Sequence, residues 1–412
     1  MNSLLLGKHI VVGVTGSISI YKSLELIRLY IKAGAKVRVI MTASAMRFIS
    51  PLTFEAISQH VVLTQESESW ANDNNHIDIG KWADLLVIAP ATANTLNKIS
   101  QGIADNLLTQ TVLAYPKQKL FAPAANTNMV QNPVTIVSLK SLKESKVEIV
   151  EPVIKELACG DIGEGALADV DEIFYKSAQM LLKDDFWLKR RVVVSGGGTI
   201  EKIDDVRFIS NFSSGKMAGA LAKALYFKGA DVCLVTTKID TSLPKSIETI
   251  AVEDAKEMQE HLTAILGDAK ESTKKSSELI SKMPYLFMAA AVSDYKVKFK
   301  QEGKLKKSSL GRTWSLELEE NADILMGIDK EGIFSVGFKA EMDKESGKEN
   351  AKNMLVKKNL DAVCFNDVGD NAFGSDENAI TLFTKTQVKV LQKSDKFSLS
   401  LSLLDALSSM SE

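Results

Sequence analysis

At 412 residues, with 25% of them charged and a formal net charge of −2, the chain is too long for one compact core and is expected to hold two or three domains. The near-neutral balance gives no whole-chain reason for nucleic-acid or membrane partners, and the longest apolar runs are strand-length, which excludes a spanning helix. Three scattered cysteines (Cys159, Cys233, Cys364) exclude a disulfide framework or cysteine metal cluster; with no signal-peptide pattern in Met1–Leu6, they point to a reducing cytoplasm.

Lys8–Val14 reads as a strand, followed by the turn Thr15-Gly16-Ser17-Ile18-Ser19. A helix over Ile20–Ala33 follows, with Leu24, Ile27 and Ile31 at helical spacing and Gly34 as its stop. Val37–Met41 is the second strand, so a phosphate-sized loop sits at the first helix N-terminus. That loop has Gly13 and Gly16 but no third glycine, a weak signal alone. Strand two runs into Thr42-Ala43-Ser44, where a nicotinamide dinucleotide would want an acidic ribose ligand. Hydroxyls suit a phosphate better, which favours a mononucleotide such as FMN over NAD.

The stretch 76–95 organises this half. Asp84–Ala89 carries the unbroken apolar run of a buried parallel strand, and Pro90 is expected to end it. A helix should follow over Ala93–Ala114, so Ala89–Thr95 faces a pocket beyond the strand's carboxyl end. His76, one of four histidines, precedes this strand; either a structural or a chemical role fits it. Lys119–Ala122 is a further strand running into Pro123-Ala-Ala-Asn-Thr-Asn-Met129, where Asn126 can fix a carboxylate or amide or simply close an Asx-turn. Ala158-Cys-Gly-Asp-Ile-Gly-Glu-Gly165 reads as a glycine-rich flap whose Cys159 is either exposed and chemical or a packing residue.

Together, Gly16-Ser-Ile18, the His76-Ile-Asp-Ile-Gly-Lys-Trp-Ala-Asp84 run, Ala89-Pro-Ala-Thr-Ala-Asn94, Pro123-Ala-Ala-Asn126 and Ala158-Cys-Gly-Asp-Ile-Gly163 resemble the flavin-dependent cysteine decarboxylases. More closely, they resemble the decarboxylase half of the bacterial bifunctional phosphopantothenoylcysteine decarboxylase/phosphopantothenate–cysteine ligase family of coenzyme A biosynthesis. Ala125 departs from the family's Met, a packing change near the flavin. The resemblance implies FMN bound by Gly16, Ser17, Ile18, Thr42, Ser44, Ala91, Thr92 and Asn94. It implies His76 as active-site base, Asn126 as ligand for the substrate carboxylate, and Cys159 as the acid in the final reduction. The substrate thiol is oxidised to a thioaldehyde before CO₂ leaves, because direct loss would strand an unstabilised carbanion.

Asp169–Lys183 is an amphipathic helix closing the first domain, and Lys183–Arg190 reads as a connector, giving expected domains 1–189 and 190–412. The βαβ plan then restarts: strand Arg191–Ser195, loop Gly196-Gly-Gly-Thr199, an insertion Ile200–Phe212, a helix within Ser213–Lys228, and strand Asp231–Thr237. Thr236-Thr237 again lacks the acidic ribose ligand. Ser213 or Ser214 can cap the helix; the Ser-Ser-Gly-Lys216 tract lacks P-loop spacing. Residues 240–285 read as irregular, Tyr285–Ala291 as a strand placing Asp294 beyond its end, and Lys296–Lys307 holds six lysines. That run is either a solvated face or a mobile loop for a triphosphate. Phe397–Leu407 ends the chain with alternating apolar residues and a short helix.

Asp204-Asp-Val-Arg-Phe-Ile-Ser-Asn-Phe-Ser-Ser-Gly-Lys-Met217 resembles the ligase signature, and further matches run through Asn321–Leu325, Val336–Glu341, Lys357–Asp361 and Asn366-Asp-Val368. The resemblance implies Asn211 and Lys304 as catalytic, the lysine loop closing over the nucleotide. It implies CTP contacts at Gly197, Ser214, Gly215, Lys216, Ala290, Ala291, Asp294, Lys304, Ala322, Asp323, Ile324, Leu325, Phe338 and Lys358. Lys339 stands where the family often has a small residue. Met354 stands where it has a nucleotide-contacting lysine, and Lys352 or Lys339 could replace that charge. The expected fold class is α/β, two Rossmann-like doubly wound domains, the first flavodoxin-like. The expected activity is ligation of 4′-phosphopantothenate with cysteine by CTP and Mg²⁺, Asp294 being the candidate metal ligand, then FMN-dependent decarboxylation to 4′-phosphopantetheine. The expected assembly is a homo-oligomer, by resemblance a dodecamer. A nucleotide-dependent dehydrogenase and a flavin-binding regulatory module are the rivals; the missing ribose carboxylates disfavour the first, and His76, Asn126 and Cys159 together disfavour the second.

Overall fold

In the first unit, five short apolar runs pair into one parallel sheet in the order β2-β1-β3-β4-β5. The strands are β1 (His9–Val14), β2 (Lys36–Met41), β3 (Leu85–Ala91), β4 (Lys119–Pro123) and β5 (Val147–Ile149). The computed structural model describes residues 3–72, 74–156, 160, 162–275, 282–306, 311–367 and 374–410, and the chain divides into two units, Met1–Leu182 and Lys183–Glu412. Every residue of β3 is buried, as a strand covered on both faces requires. On one face Val11, Leu86, Ile88 and Phe121 pack against Ile79, Leu96, Leu108 and Leu142 of the flanking helices. The helices Tyr21–Lys32 and Val170–Leu182 pack against each other, and their Tyr30 and Ser177 hydroxyls meet at 2.6 Å.

Pro90 does not end β3: the strand continues to Ala91, with its pairing to β4 shifting between Ile88 and Ala91. Hydroxyls take over where regular pairing lapses. Ser23 donates to Ala89 O at 2.7 Å and Thr15 to Pro90 O at 2.7 Å, while Thr15 Oγ1 accepts from the Thr92 amide at 3.0 Å. The helix expected over Ala93–Ala114 is two helices, Ala93–Ser100 and Leu107–Ala114. Gly102, at φ +73, turns the chain out of the first, and Asn106 caps the second in a reciprocal box with Thr109. The first helix buries Ser23, Leu26, Ile27 and Tyr30, while Ile31, expected on its apolar face, is exposed. The segment read as a flap is in part a strand: Ile162–Gly165 belong to β7 (Ile162–Ala166), which pairs antiparallel with β6 (Val153–Glu156).

The second unit holds an eight-stranded sheet, β12-β11-β8-β13-β16-β17-β18-β19. Its strands are β8 (Arg191–Gly196), β11 (Asp231–Thr236), β12 (Glu248–Ala251), β13 (Tyr285–Met288), β16 (Phe334–Glu341), β17 (Ala362–Asp367), β18 (Glu377–Thr384) and β19 (Val388–Asp395). The pairing is parallel from β12 to β17 and antiparallel beyond. Two small hairpins lie apart, β9 (Ile200–Lys202) with β10 (Phe208–Ser210), and β14 (Tyr295–Val297) with β15 (Leu318–Glu320). The segment read as a connector belongs to this unit: Trp187 is fully buried, 5.0 Å from the Tyr285 ring, and Arg190 lies over Phe186 at 4.1 Å.

The described part of residues 240–285 is not irregular. Ala255–Lys275 is a 21-residue helix that buries Met258, Leu262 and Leu266, spaced four apart, in the unit's core. The last helix, Lys396–Met410, is longer than expected and packs on the helix Lys216–Phe227. The strand at Tyr285 is shorter than expected, ending at Met288, because Ala290 and Ala291 amides leave the ladder for Ser195 Oγ and Gly197 O. No described helix is long and apolar enough to cross a membrane.

Candidate active sites

Each sheet opens a cavity beyond the carboxyl ends of its parallel strands, where an open α/β sheet leaves crevices between diverging loops. The first cavity encloses about 1010 Å³. The β1 turn contributes Gly16, Ser17 and Ile18, the β2 end Thr42 and Ser44, the β3 end Thr92 and Asn94, and the β4 end Ala124, Ala125 and Asn126. Ala91 does not line it; its side chain is fully buried inside the strand. The β1 turn and the β2 end approach closely: a Cβ on Gly16 would lie 2.6 Å from Ser44 Cβ. The helix Tyr21–Lys32 begins without a side-chain cap, leaving its first-turn amides to the short turn before it or to a ligand.

Asn126 closes an Asx-type turn, its Oδ1 accepting from the Asn128 amide at 2.9 Å, so the local role and a place on the cavity wall coexist. Ala125 donates its amide to Gly165 O at 3.0 Å, so the departure from the family pattern sits where the β4 loop meets β7. Thr127 Oγ1 is buried with no hydrogen-bond partner among the described residues. Sequence reasoning missed Lys22, Lys98 and Lys155 on the cavity wall; burial pushes the Lys22 ammonium below its usual range, with Lys155 adding to that. Cys159 and Asp161 lie outside the described residues.

His76 is not on this wall. It opens the helix His76–Trp82, whose Asn75 cap accepts from the Ile77 and Asp78 amides at 3.0 Å. Its Nδ1 lies 2.9 Å from Glu68 Oε1.

The second cavity encloses about 810 Å³. It gathers Asn211, Ser214, Gly215, Ala290, Ala291, Asp294, Ala322, Asp323, Ile324, Leu325, Phe338 and Lys358 from five separate segments. Asn211 is oriented by its Nδ2, which donates to Val292 O at 2.9 Å. The cap position of the helix Lys216–Phe227 is Gly215, at φ +72 and with no side chain to offer, and the Ser214 hydroxyl accepts from the first helical amide, Lys216 N, at 3.4 Å. That leaves a long helix's positive end at a cavity wall.

Lys358 meets Asp323 at 2.7 Å. Burial works against the Asp323 carboxylate, but the Lys358 ammonium and the Met326 amide outweigh it and hold the carboxyl below its usual range. Of the lysines considered for the Met354 position, Lys339 lines the cavity with its ammonium 3.0 Å from Glu341, and Lys352 does not line it. Lys357 and Lys396, not foreseen, do.

Three expected nucleotide contacts lie off this wall. Gly197 packs against Thr237 and accepts from the Ala291 amide at 2.8 Å. Lys216 turns to Asp376, at 2.5 Å. Lys304 is exposed on a loop lashed to the segment before β10. There Asp205 Oδ2 accepts from the Gly303 amide at 2.9 Å and Asp204 Oδ2 from the Leu305 amide at 3.1 Å, while Arg207 reaches both Asp204 and Leu305 O. The Asp204 side chain is fully buried. Desolvation opposes its charge, but the Val206, Arg207 and Leu305 amides with the Arg207 guanidinium hold its carboxyl below the usual range. The lysine run thus splits. Lys296 and Lys298 face Glu319 and Glu317 as a solvated ladder, and Lys304 is tied in place.

Two family models match the chain: one described as Flavoprotein over residues 2–182, and one described as DNA/pantothenate metabolism flavoprotein C-terminal domain over residues 187–410. The chain is 38% identical to the coenzyme A biosynthesis bifunctional protein CoaBC of Haemophilus influenzae, over 97% of each chain. It is 34% identical to the Escherichia coli protein of the same name, over 98% of this chain and 97% of the relative. Among solved structures, a mutant PPC decarboxylase complexed with pantothenoylaminoethenethiol is 36% identical over 41% of this chain and 96% of its own, with a TM-score of 0.38. The C-terminal domain of a CoaBC protein is 28% identical over 55% of this chain and 97% of its own, with a TM-score of 0.41.

Proposed function

The chain belongs to the family of coenzyme A biosynthesis bifunctional proteins, decarboxylase and phosphopantothenate–cysteine ligase in one polypeptide, and from that premise we propose how its two cavities divide the chemistry. The first takes FMN and 4′-phosphopantothenoylcysteine; the second takes CTP, 4′-phosphopantothenate and cysteine. The observation that carries this division is that each unit has its own cavity beyond its own parallel strands, walled by separate sets of expected residues.

The first cavity suits a flavin mononucleotide. Its volume accommodates one, hydroxyls rather than a carboxylate end β2, and a side chain on Gly16 would fill the cradle between the two loops. Gly16, Ser17, Ile18, Thr42 and Ser44 would hold the phosphate, and Thr92 and Asn94 the rest of the group. FMN, when bound, supplies a two-electron acceptor that allows CO₂ loss without an unstabilised carbanion. Asn126 orients the substrate carboxylate, His76 holds a proton at its ring, and Cys159 returns one to the product. The Asn75 cap fixes His76 to a helix whose residues do not wall its own cavity. The proposal therefore takes the His76 that serves a given cavity from a second copy in a homo-oligomer, with the dodecamer as the assembly light scattering would test.

In the second cavity the phosphopantothenate carboxylate attacks the α-phosphorus of CTP and pyrophosphate leaves. The cysteine amine then attacks the acyl carbon and CMP leaves. The helix N-terminus at Gly215 and the lysines Lys358, Lys357 and Lys339 supply positive potential for phosphates. Lys304 closes over them, and Asn211 contacts the acyl-cytidylate. No group of three or more His, Cys, Asp or Glu among the described residues could hold a metal ion. The Mg²⁺ of this reading accordingly travels with the triphosphate. Asp294, whose carboxylate meets no described hydrogen-bond donor, is its protein contact. Cytoplasmic residence belongs to the same reading.

Incubation with phosphopantothenate, cysteine and either CTP or ATP, followed by mass spectrometry, tests the whole scheme. Phosphopantothenoylcysteine and then phosphopantetheine should appear with CTP. Absence of CO₂ release from phosphopantothenoylcysteine by FMN-loaded protein would return the first unit to a flavin-binding module.

A further inference from the structure

Glu68 has no part in the chemistry above, yet its carboxylate is held against the His76 ring. Oε1 lies 2.9 Å from Nδ1, and the two side chains are only 17% and 25% exposed. Both ends of the pair are fixed by backbone. Glu68 directly follows the short turn Gln65–Ser67, which Thr64 and Ser67 close reciprocally. His76 follows the fully buried cap Asn75, and Arg38 pins the preceding Asn74 at 2.6 Å. The Trp70 ring meets the imidazole edge-on at 5.6 Å and 86°, closing another side of it.

A carboxylate largely removed from water needs a donor, and among the described residues His76 is the only one that meets Glu68. The ring's other nitrogen, Nε2, has no described hydrogen-bond partner. In a neutral imidazole the nitrogen that donates to a fixed acceptor carries the proton, leaving the other as the base. A carboxylate behind the ring also stabilises the imidazolium formed when that base takes a proton, without itself becoming protonated.

We propose that Glu68 is the positioning residue of the decarboxylase base: it accepts the Nδ1 proton of His76, fixes the tautomer that leaves Nε2 open, and supports the charged ring. This rests on His76 being the base, and Glu68 touches neither substrate nor flavin. The experiment uses FMN-loaded full-length protein with phosphopantothenoylcysteine, comparing Glu68→Gln, Glu68→Asp and His76→Asn for kcat, KM, flavin content and CTP-dependent ligation. Glu68→Gln should lower kcat at least about tenfold, with KM, flavin content and ligation unchanged, because its amide keeps a contact but not the charge. Glu68→Asp should recover part of that loss. A normal kcat in Glu68→Gln beside a dead His76→Asn overturns the positioning role and leaves the base assignment standing. Loss of flavin together with kcat in Glu68→Gln assigns Glu68 to folding of the 65–76 segment, which also overturns it. A fully active His76→Asn removes the base assignment and the proposal together.

Discussion

The two cavities are built alike and completed differently. In both, the walls come from loops at the carboxyl ends of parallel strands, and in both one side chain assigned to chemistry lies off the wall. His76 sits on a capped helix end with the half-buried Glu68 carboxylate behind it. Lys304 sits on a loop whose neighbours are hydrogen-bonded to Asp204, Asp205 and Arg207, where release of a few bonds would free it. On the division of chemistry proposed above, a second copy completes the first site and movement of a loop completes the second. Binding residues follow from local strand-end geometry, whereas reactive residues depend on remote segments.

The sharpest break of this comparison is His76→Asn. Decarboxylation should fall by about 10²–10⁴-fold, as for loss of a general base, while CTP-dependent ligation stays intact. Parallel loss of both activities with flavin retained would contradict separate sites. A heteromer mixing His76→Asn chains with Asn126→Ala chains should regain part of the lost rate; no recovery would return His76 to its own chain's cavity.

Next in size is the lysine loop, read by pyrophosphate release with cysteine omitted. Lys304→Gln should lose the CTP-dependent burst by about 10²–10³-fold, as for loss of a charge-stabilising donor. Asn211→Asp should retain a single-turnover burst, since Asn211 acts on the second step. A normal burst in Lys304→Gln would return the whole lysine run to a solvated face.

A smaller effect is expected from the tie that holds this loop. Asp204→Asn should speed hydrogen exchange at the Leu305 amide by about tenfold, the scale of one lost charged hydrogen bond. Because the Asp204 carboxyl is held below its usual range, its contribution is present above the ordinary carboxylate pKa and lost as pH falls through the lower folded value. Exchange of the Leu305 amide should thus show no pH-dependent opening near neutrality. Opening that sets in between pH 6 and 7 would sink the idea.

The smallest change expected is from Met354→Lys. Lys339, Lys357 and Lys358 already line the cavity, so KM for CTP should fall by no more than about threefold, the scale of a screened surface charge. A drop of a hundredfold would mean those lysines do not meet the nucleotide.

Much of this was legible beforehand. The βαβ plan of both halves, the hydroxyl-ended second strands and the turn at Gly16 follow from apolar runs and glycine placement, which are local signals. The helix Ala255–Lys275 was missed: Met258, Leu262 and Leu266 recur every fourth residue, but the lysine- and serine-rich end of that stretch masked the period. The hairpin of β18 and β19 was missed because Val388 and Val390 are apolar yet exposed, so the strand shows no inward face.

Strand order, cavity walls and partner choice belong to another level. Apolar runs, glycines and strand-end hydroxyls specify, by sequence alone, two α/β units and the kind of group each loop can meet, because backbone propensity and side-chain period are set within a few residues. Tertiary structure decided that β3 runs through Pro90, that Trp187 is core rather than connector, and that Gly215 sets a helix N-terminus at the second cavity. It also set Glu68 against His76 and Asp204 against the Lys304 loop. Those pairings join residues 8 and 101 apart in the chain, and only the packing of the intervening helices and strands brings such carboxylates and their donors within hydrogen-bond reach.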